Sequence, residues 1–499
     1  MSASREKKKR QELLAGGVTD PKAARAAEAK AAERKSNILY AAVAIAFVVV
    51  AVALVVYNSG VFQRNKTAVT INGENYSVAK TSYYYQQICN NYASMFGADY
   101  LQSLKAMSYE GEKTYDDYFK EQAVENMKLV YTAVSAAKAD GMGLDAEDNE
   151  TVKANIDSIK DSAKAVGYGY GAYLKAVYGP YMTSSAFKSC LEDQILASKY
   201  VDKYTEDNFV FSADEVQAYY EENKNSYDLV NGGYVAISGT PEAKTDADGN
   251  TVEATDEEKA AALATAKDAA DAILADVKKG TSLEAAAEKY DNATYTGGEE
   301  MSTSSGVAGQ WLFDESRKAG DAEVLADEDN SRYYVAVFNS RKRNEALDYN
   351  VRHILVKAEN LDLADGETAS EEQLMAKAQE ILNSWDGTEN GFAQLAEQYS
   401  QDGGSNTNGG LYENVPKGRM ISVFQEWCYE DGRQPGDTGI VYYSGTGAHI
   451  MYFVGYGDTP YWYYACENQL VSSASSEWQD GLVEAATAEL NAGGMKYVG

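Results

Sequence analysis

The chain has 499 residues, enough for roughly three domains of ~150 residues each. Its 76 acidic and 45 basic residues leave a net charge of −31, which argues against a nucleic-acid partner, because phosphate backbones are gripped by Lys and Arg. With 44% hydrophobic residues this is a folding chain, and its only two histidines, His353 and His449, exclude a zinc site built from several imidazoles.

Residues 1–36 hold ten Lys/Arg against five Asp/Glu, a basic tail of net charge +5. Residues 38–57 then read ILYAAVAIAFVVVAVALVVY, twenty positions without a charge. As a helix this run is long enough to cross a hydrocarbon core of ~30 Å. A cleavable signal has a shorter apolar core, about 7–15 residues, followed by small residues at the cut. The sequence therefore predicts an uncleaved anchor over 37–58, with the basic tail inside and a body of charge −36 outside. The Ala/Lys/Glu-rich stretch 21–35 reads either as a solvated helix or as a disordered tail.

Residues 69–78 suggest a small hairpin turning at Asn72-Gly73. Helical runs follow around 83–95, 115–140, 146–166 and 184–204; in the second, Val124, Met127, Tyr131 and Val134 recur at helical spacing. Ser212 and Glu215 form a capping box that opens a further helix. The 39 tyrosines read first as amphipathic core, and second as adaptable surface for unfolded chains. Cys89, Cys190, Cys428 and Cys466 form no CxxC pair and are too few for a disulfide framework; they read as buried thiols, with a single bridge left open.

An internal repeat organises the rest. Residues 310–321 read QWLFDESRKAGD, and residues 426–437, offset by 116, read EWCYEDGRQPGD. Upstream of the first lie the stripes Leu263, Ala266, Ala270, Ile273, Leu274, Val277 and Leu283, Ala286, Ala287, Tyr290. Leu374, Ala378, Ile381, Leu382, Trp385 and Phe392, Leu395, Ala396, Tyr399 precede the second. A strand opens each copy (234–238; 352–357) and another closes it (333–338; 449–454). Two α+β modules thus stand in tandem. Both histidines fall in the second, one on its first strand and one on its last, where the first copy has residues close to Val235 and Tyr334. One working site and one scaffold are expected.

The stretch RHILV at 352–356, FAQLAEQYSQD at 392–402, Gly409-Gly410, GRM at 418–420 with Phe424, and GAHI at 447–450 resembles a parvulin-type peptidyl-prolyl cis-trans isomerase across roughly 347–458. A membrane-anchored parvulin with flanking helices is similar to exported foldases of the PrsA and SurA type. The resemblance implies an α+β protein with a single N-terminal transmembrane helix and a helical chaperone-like domain over 67–228, completed by a C-terminal helix over 462–490 that carries Leu470, Ala474, Trp478 and Leu482. It also implies two parvulin-like modules of antiparallel sheet and helices, a degenerate one over 230–343 and the isomerase domain over 347–458.

By the same resemblance, His353 and His449 match the family's paired histidines, and Asp402 the acid beside the reacting amide. Met420 and Phe424 match the apolar wall that receives the proline ring, and Thr446 a hydroxyl before the second histidine. The usual Gly-Gly-Asp-Leu-Gly becomes Gly409-Gly410-Leu411-Tyr412-Glu413, so Leu411 and Tyr412 share the place of the pocket leucine. The acidic loop 359–372 lacks a basic pair, against a preference for phosphorylated Ser/Thr-Pro. An X–Pro amide turns slowly over a barrier of ~18–20 kcal/mol, and no covalent bond need break, so no metal or cofactor is implied.

These residues predict an extracytoplasmic isomerase acting on unfolded exported polypeptides that contain X–Pro bonds, held to the membrane through residues 38–57. The alternative is a peptide-gripping holdase with little turnover. A structural envelope protein has only the tyrosine content behind it. For an enzyme, His353 and His449 should face one another beneath a pocket lined by Met420 and Phe424.

Overall fold

Polar caps set most of the helix starts. The side chains of Ser77, Thr183 and Thr388 each accept the backbone N–H three residues on. Thr114–Asp117, Asp145–Asp148, Ser212–Glu215, Thr255–Glu258 and Ser370–Gln373 close reciprocal capping boxes. Each cap satisfies an otherwise orphaned N–H and stabilises its helix by about 1 kcal/mol. The computed structural model describes residues 3–15, 45–52, 60–245, 251–302, 304–364 and 367–499. They form a mixed helix and sheet fold divided into two units, Met1–Phe209 with Ser475–Gly499, and Val210–Ala474.

In the first unit the strands Thr67–Ile71 and Glu74–Ser77 form an antiparallel hairpin. Asn72 and Gly73 turn it with φ of 49° and 85°, the left-handed pair that a tight two-residue turn requires. A third strand, Ala488–Leu490, pairs with Thr67–Ile71 from the far end of the chain. The helices Val78–Phe96, Tyr115–Ala139, Ala146–Ala165 and Ser184–Asn208 occupy the expected runs; Ala98–Lys105 and Tyr170–Tyr178 are additional. Tyr83, Tyr84 and Tyr85, each at most 2% exposed, pack in one core with Phe119, Met127 and Phe187. Tyrosine here is core material first.

The second unit holds two four-stranded antiparallel sheets of the same order. The first runs Ala293–Met301, Asp228–Ser238, Arg332–Arg343, Ala322–Asp327; the second runs Leu411–Val415, Leu347–Val356, Gly447–Pro460, Thr438–Tyr443. Alternation along the strands gives each sheet two apolar faces. In the second module Ile354, Val356 and Ile450 pack under the helices Glu371–Asn383 and Glu389–Tyr399, through Leu374, Ala378, Ile381, Phe392 and Ala396. On the other face Tyr349, Val351, Met451 and Phe453 meet Phe424 and Cys428 of the short helix Ser422–Cys428. The first module repeats this plan with Ile237, Ala270 and Ile273 on one face and Val230, Leu312 and Phe338 on the other.

Three expectations need restating. The single N-terminal transmembrane helix is corrected: among the described residues, no helix is long and apolar enough to cross a membrane. Of the run 38–57 only residues 45–52 are described, a helical piece spanning about 12 Å. The remainder of that run, and the stretch 21–35, lie outside the described residues. The C-terminal helix, Tyr461–Ala485, is divided between the units. Trp462 and Leu470 pack with Val216 and Tyr220 in the second, whereas Trp478 stacks on Tyr204 at 4.0 Å in the first. Finally, all four cysteines are buried free thiols, which removes the bridge.

Phe392 is fully buried between the helices and the sheet that carries both histidines. Phe392→Ala is expected to cost about 3–5 kcal/mol through lost contacts and a cavity. Thermal unfolding followed by calorimetry should show a lower midpoint for the second unit's transition only.

Candidate active site

The site begins with strand register. Leu355 pairs with His449 and His353 with Met451, so the two histidines lie diagonally across neighbouring strands on one sheet face. Their rings stack, with centroids 4.9 Å apart, and His449 Nδ1 lies 2.8 Å from His353 Nε2. Phe424 presents its ring edge-on to His353 at 5.3 Å and to His449 at 6.1 Å. Met420, half-buried, packs against the same cluster. His353 and His449 face one another with Phe424 against both rings, and Met420 packs on the apolar cluster that contains Phe424.

The polar contacts continue on both sides of the pair. Thr446 Oγ1 lies 2.7 Å from His449 Nε2. Asp402 Oδ2 faces His353 Nδ1 at 3.3 Å, too oblique for an aligned hydrogen bond but close enough for the carboxylate's field to act. That carboxylate also accepts hydrogen bonds from the Ser405 hydroxyl (2.6 Å), the Tyr412 hydroxyl (2.7 Å) and the Gly404 N–H (3.2 Å). One proton per imidazole then gives a single consistent order. His353 carries its proton on Nδ1 toward Asp402 and accepts at Nε2 from His449 Nδ1–H. His449 Nε2 in turn accepts from the Thr446 hydroxyl.

Electrostatics support a neutral His449 ring near a charged acid. Burial, reinforced by the neighbouring His353, brings the His449 pKa down to about 4. The facing His353 ring, followed by the Ser405 and Tyr412 hydroxyls, holds Asp402 well below the ordinary carboxylate range. Burial, and then its bond to Asp402, pushes the Tyr412 phenol up to about 12. Access divides the roles further. His353 and His449 are 4% and 5% exposed, while the Asp402 side chain is 19% exposed. Asp402, half-buried Met420 and exposed Thr446 are thus the accessible groups, and the two histidines lie behind them.

Of the two residues assigned to the pocket leucine's place, the structure separates one from the other. Tyr412 pairs with Val351 and shares its face with His353. Leu411 pairs with Arg352, whose side chain bonds Glu389 on the helix-covered face. Leu411 is therefore no part of the pocket. Sequence reasoning missed Ser405, whose hydroxyl bonds Asp402 just past the Asx turn that Asp402 closes with the Gly404 N–H. It also missed why Gly410 is required: φ is +73°, and a Cβ there would stand 2.4 Å from the His353 carbonyl oxygen. Among the described residues no group of three or more His, Cys, Asp or Glu side chains could hold a metal.

The first module keeps the scaffold and changes the chemistry. Phe338 N–H bonds the Asp321 carbonyl as Phe453 N–H bonds that of Asp437, which aligns Tyr334 with His449. Ala336, the counterpart of Met451, pairs with Tyr234, so Tyr234 stands in the place of His353. Val235, the residue expected there, faces the helices instead. Tyr234 and Tyr334 meet edge to face at 5.6 Å, and Ala308 takes the place of Phe424. The loop that carries Asp402 and Ser405, residues 400–410, has as its counterpart only the short link 291–292.

The His449 shift makes a stability statement. In the unfolded chain the ring protonates near 6.5, in the fold only near 4. The unfolded state therefore binds more protons between these values. The contribution is complete above pH 6.5 and is lost as pH falls toward 4, on the order of 3 kcal/mol. Melting temperature between pH 7 and 4 should fall less steeply in His449→Gln than in the native protein.

Comparison with known proteins adds similarities to parts of the chain. Residues 333–454 match the PPIC-type PPIASE domain, and residues 32–201 match the SurA-like N-terminal domain. The chain is 22% identical over 344 residues to the Chaperone SurA of Alkalilimnicola ehrlichii, across 67% of this chain and 72% of that protein. Among solved structures, peptidylprolyl isomerase PrsA of Bacillus anthracis aligns at 22% identity and a TM-score of 0.20, over 28% of this chain and 59% of that one, less than two thirds of its length. Foldase protein PrsA of Streptococcus pneumoniae aligns at 12% identity and a TM-score of 0.24, over 76% of this chain and 89% of that one. By these matches residues 333–454 are similar to PPIC-type PPIase domains and residues 32–201 to SurA-like N-terminal domains, and the chain is similar to the Chaperone SurA.

Proposed function

We propose that the module over 347–458 is a working prolyl isomerase, and that the chain serves as a foldase for unfolded polypeptides containing X–Pro bonds. The observation that carries this reading is the row of polar groups Asp402, His353, His449, Thr446, hydrogen-bonded from His353 to Thr446 and with Asp402 3.3 Å from His353, set against Phe424 and half-buried Met420. Rotation about X–Pro breaks amide conjugation, so the catalyst must favour the twisted amide over both planar forms. Met420 and Phe424 offer the ring an apolar wall. Asp402, held charged and in place, gives a fixed field beside the amide, while the paired imidazoles keep its orientation. We place this activity outside the cytoplasm; the step from the +5 charge of residues 1–36 to the −36 of the remainder supports that reading.

A holdase is the second reading, favoured by the first module, in which Tyr234 and Tyr334 replace the histidines. A proline-isomerisation assay on a short peptide separates the two. The native chain should accelerate the reaction, and His353→Ala and Asp402→Ala should each lower kcat/KM tenfold or more, about 1.4 kcal/mol of transition-state stabilisation. A native rate equal to background, with aggregation of a denatured client still suppressed, would leave the holdase.

A further inference from the structure

We propose that Tyr412 is a positioning residue of this site, and not a wall of the proline pocket: its phenol, with the Ser405 hydroxyl, clamps Asp402 in the orientation that orders both imidazoles. The proposal rests on the isomerase reading and extends it to a residue whose type departs from the apolar one expected there.

Geometry carries the argument. Tyr412 and Ser405 both donate to Asp402 Oδ2, at 2.7 and 2.6 Å, the same oxygen that faces His353 Nδ1. Oδ1 has a single hydrogen bond, from Gly404 N–H at 3.2 Å, and is the oxygen left with capacity for a client. Ser405 is fully buried, and its N–H returns to the Asp402 carbonyl, so the lower arm of the clamp is built into the turn. The upper arm depends on close approach. A Cβ on Gly404 would stand 2.8 Å from the Tyr412 hydroxyl, so the phenol lies close over the loop at this glycine. Gly410, at positive φ, accepts the His353 N–H through its carbonyl and leads directly into the strand that bears Tyr412. Its own N–H bonds the Ser405 carbonyl.

An aliphatic side chain at 412 could line a pocket but could donate nothing to Asp402. With one arm gone, the carboxylate can swing on Ser405 alone, and His353 loses the field that selects its Nδ1 proton. The second ring then loses its own selection, because each tautomer is set by the bond of its neighbour.

The two histidines make the test clean, since labelling the full chain with 15N-histidine yields only two rings. Tyr412→Phe, Tyr412→Leu and Ser405→Ala are compared with the native chain by imidazole 15N shifts and by peptide isomerisation. The expected result for Tyr412→Phe is a mixture of tautomers at both rings and a kcat lowered severalfold, with KM within twofold of native. Ser405→Ala should move the same way, and keeps the test alive if a Tyr412 variant fails to fold. Native-like shifts and kcat in Tyr412→Phe, with KM changed only in Tyr412→Leu, would overturn the proposal and return Tyr412 to the wall. Absence of isomerisation by the native chain would defeat the isomerase reading, while the ring shifts would still decide whether the clamp exists.

Discussion

Everything at the site depends on the antiparallel pairing of Leu347–Val356 with Gly447–Pro460. Side chains alternate along a strand, so a slip of one residue would turn His353 toward the helices and Ile354 toward the cleft. The pairing is pinned from both faces. Ile354 and Ile450 are locked under the two helices, and Val351, Met451 and Phe453 are locked against Phe424 and Cys428. Neither core tolerates the exchange, because a polar imidazole would enter one while an exposed isoleucine left it. The 2.8 Å contact between the rings follows from that register.

From this contact the polarity of the site spreads outward. Two buried imidazoles in hydrogen-bond contact cannot both be charged without strong repulsion, and burial already disfavours the His449 cation. The charge is therefore carried at one end, by Asp402, where hydroxyls and a backbone N–H receive it. The other end, Thr446, reaches solvent. The arrangement is rigid in the middle and accessible at its ends, which suits a reaction that requires a fixed field and no transfer of atoms.

The tandem modules show how little of this belongs to the scaffold. Both have the same strand order, the same helices and the same Trp-containing segment beside the last strands. At the site itself, the differences are two residues on paired strands, one residue on a short helix and one loop. Tyr234 and Tyr334 meet edge to face where the histidines stand in the second module, and Tyr234 packs on the core of that face. Without a counterpart to residues 400–410 there is no place for the acid.

Much was legible in the residues themselves. Helix caps, the Asn72-Gly73 turn, the amphipathic stripes and the repeat are local or periodic signals, and each element formed where its signal stood. The histidine pair was legible because its motifs are short and in order. Other features were decided by tertiary structure. The strand Ala488–Leu490 has no local signal; its partner lies over 400 residues earlier. A one-residue difference separated Val235 from Tyr234 because strand register is fixed by pairing, which residue counting cannot see. The exchange of Leu411 for Tyr412 has the same cause. So does the role of Tyr412, since a hydroxyl becomes an anchor only when a turn brings a carboxylate within 2.7 Å of it. Composition and periodicity determined which elements form and where the histidines sit; pairing and close approach decided which side chains face one another.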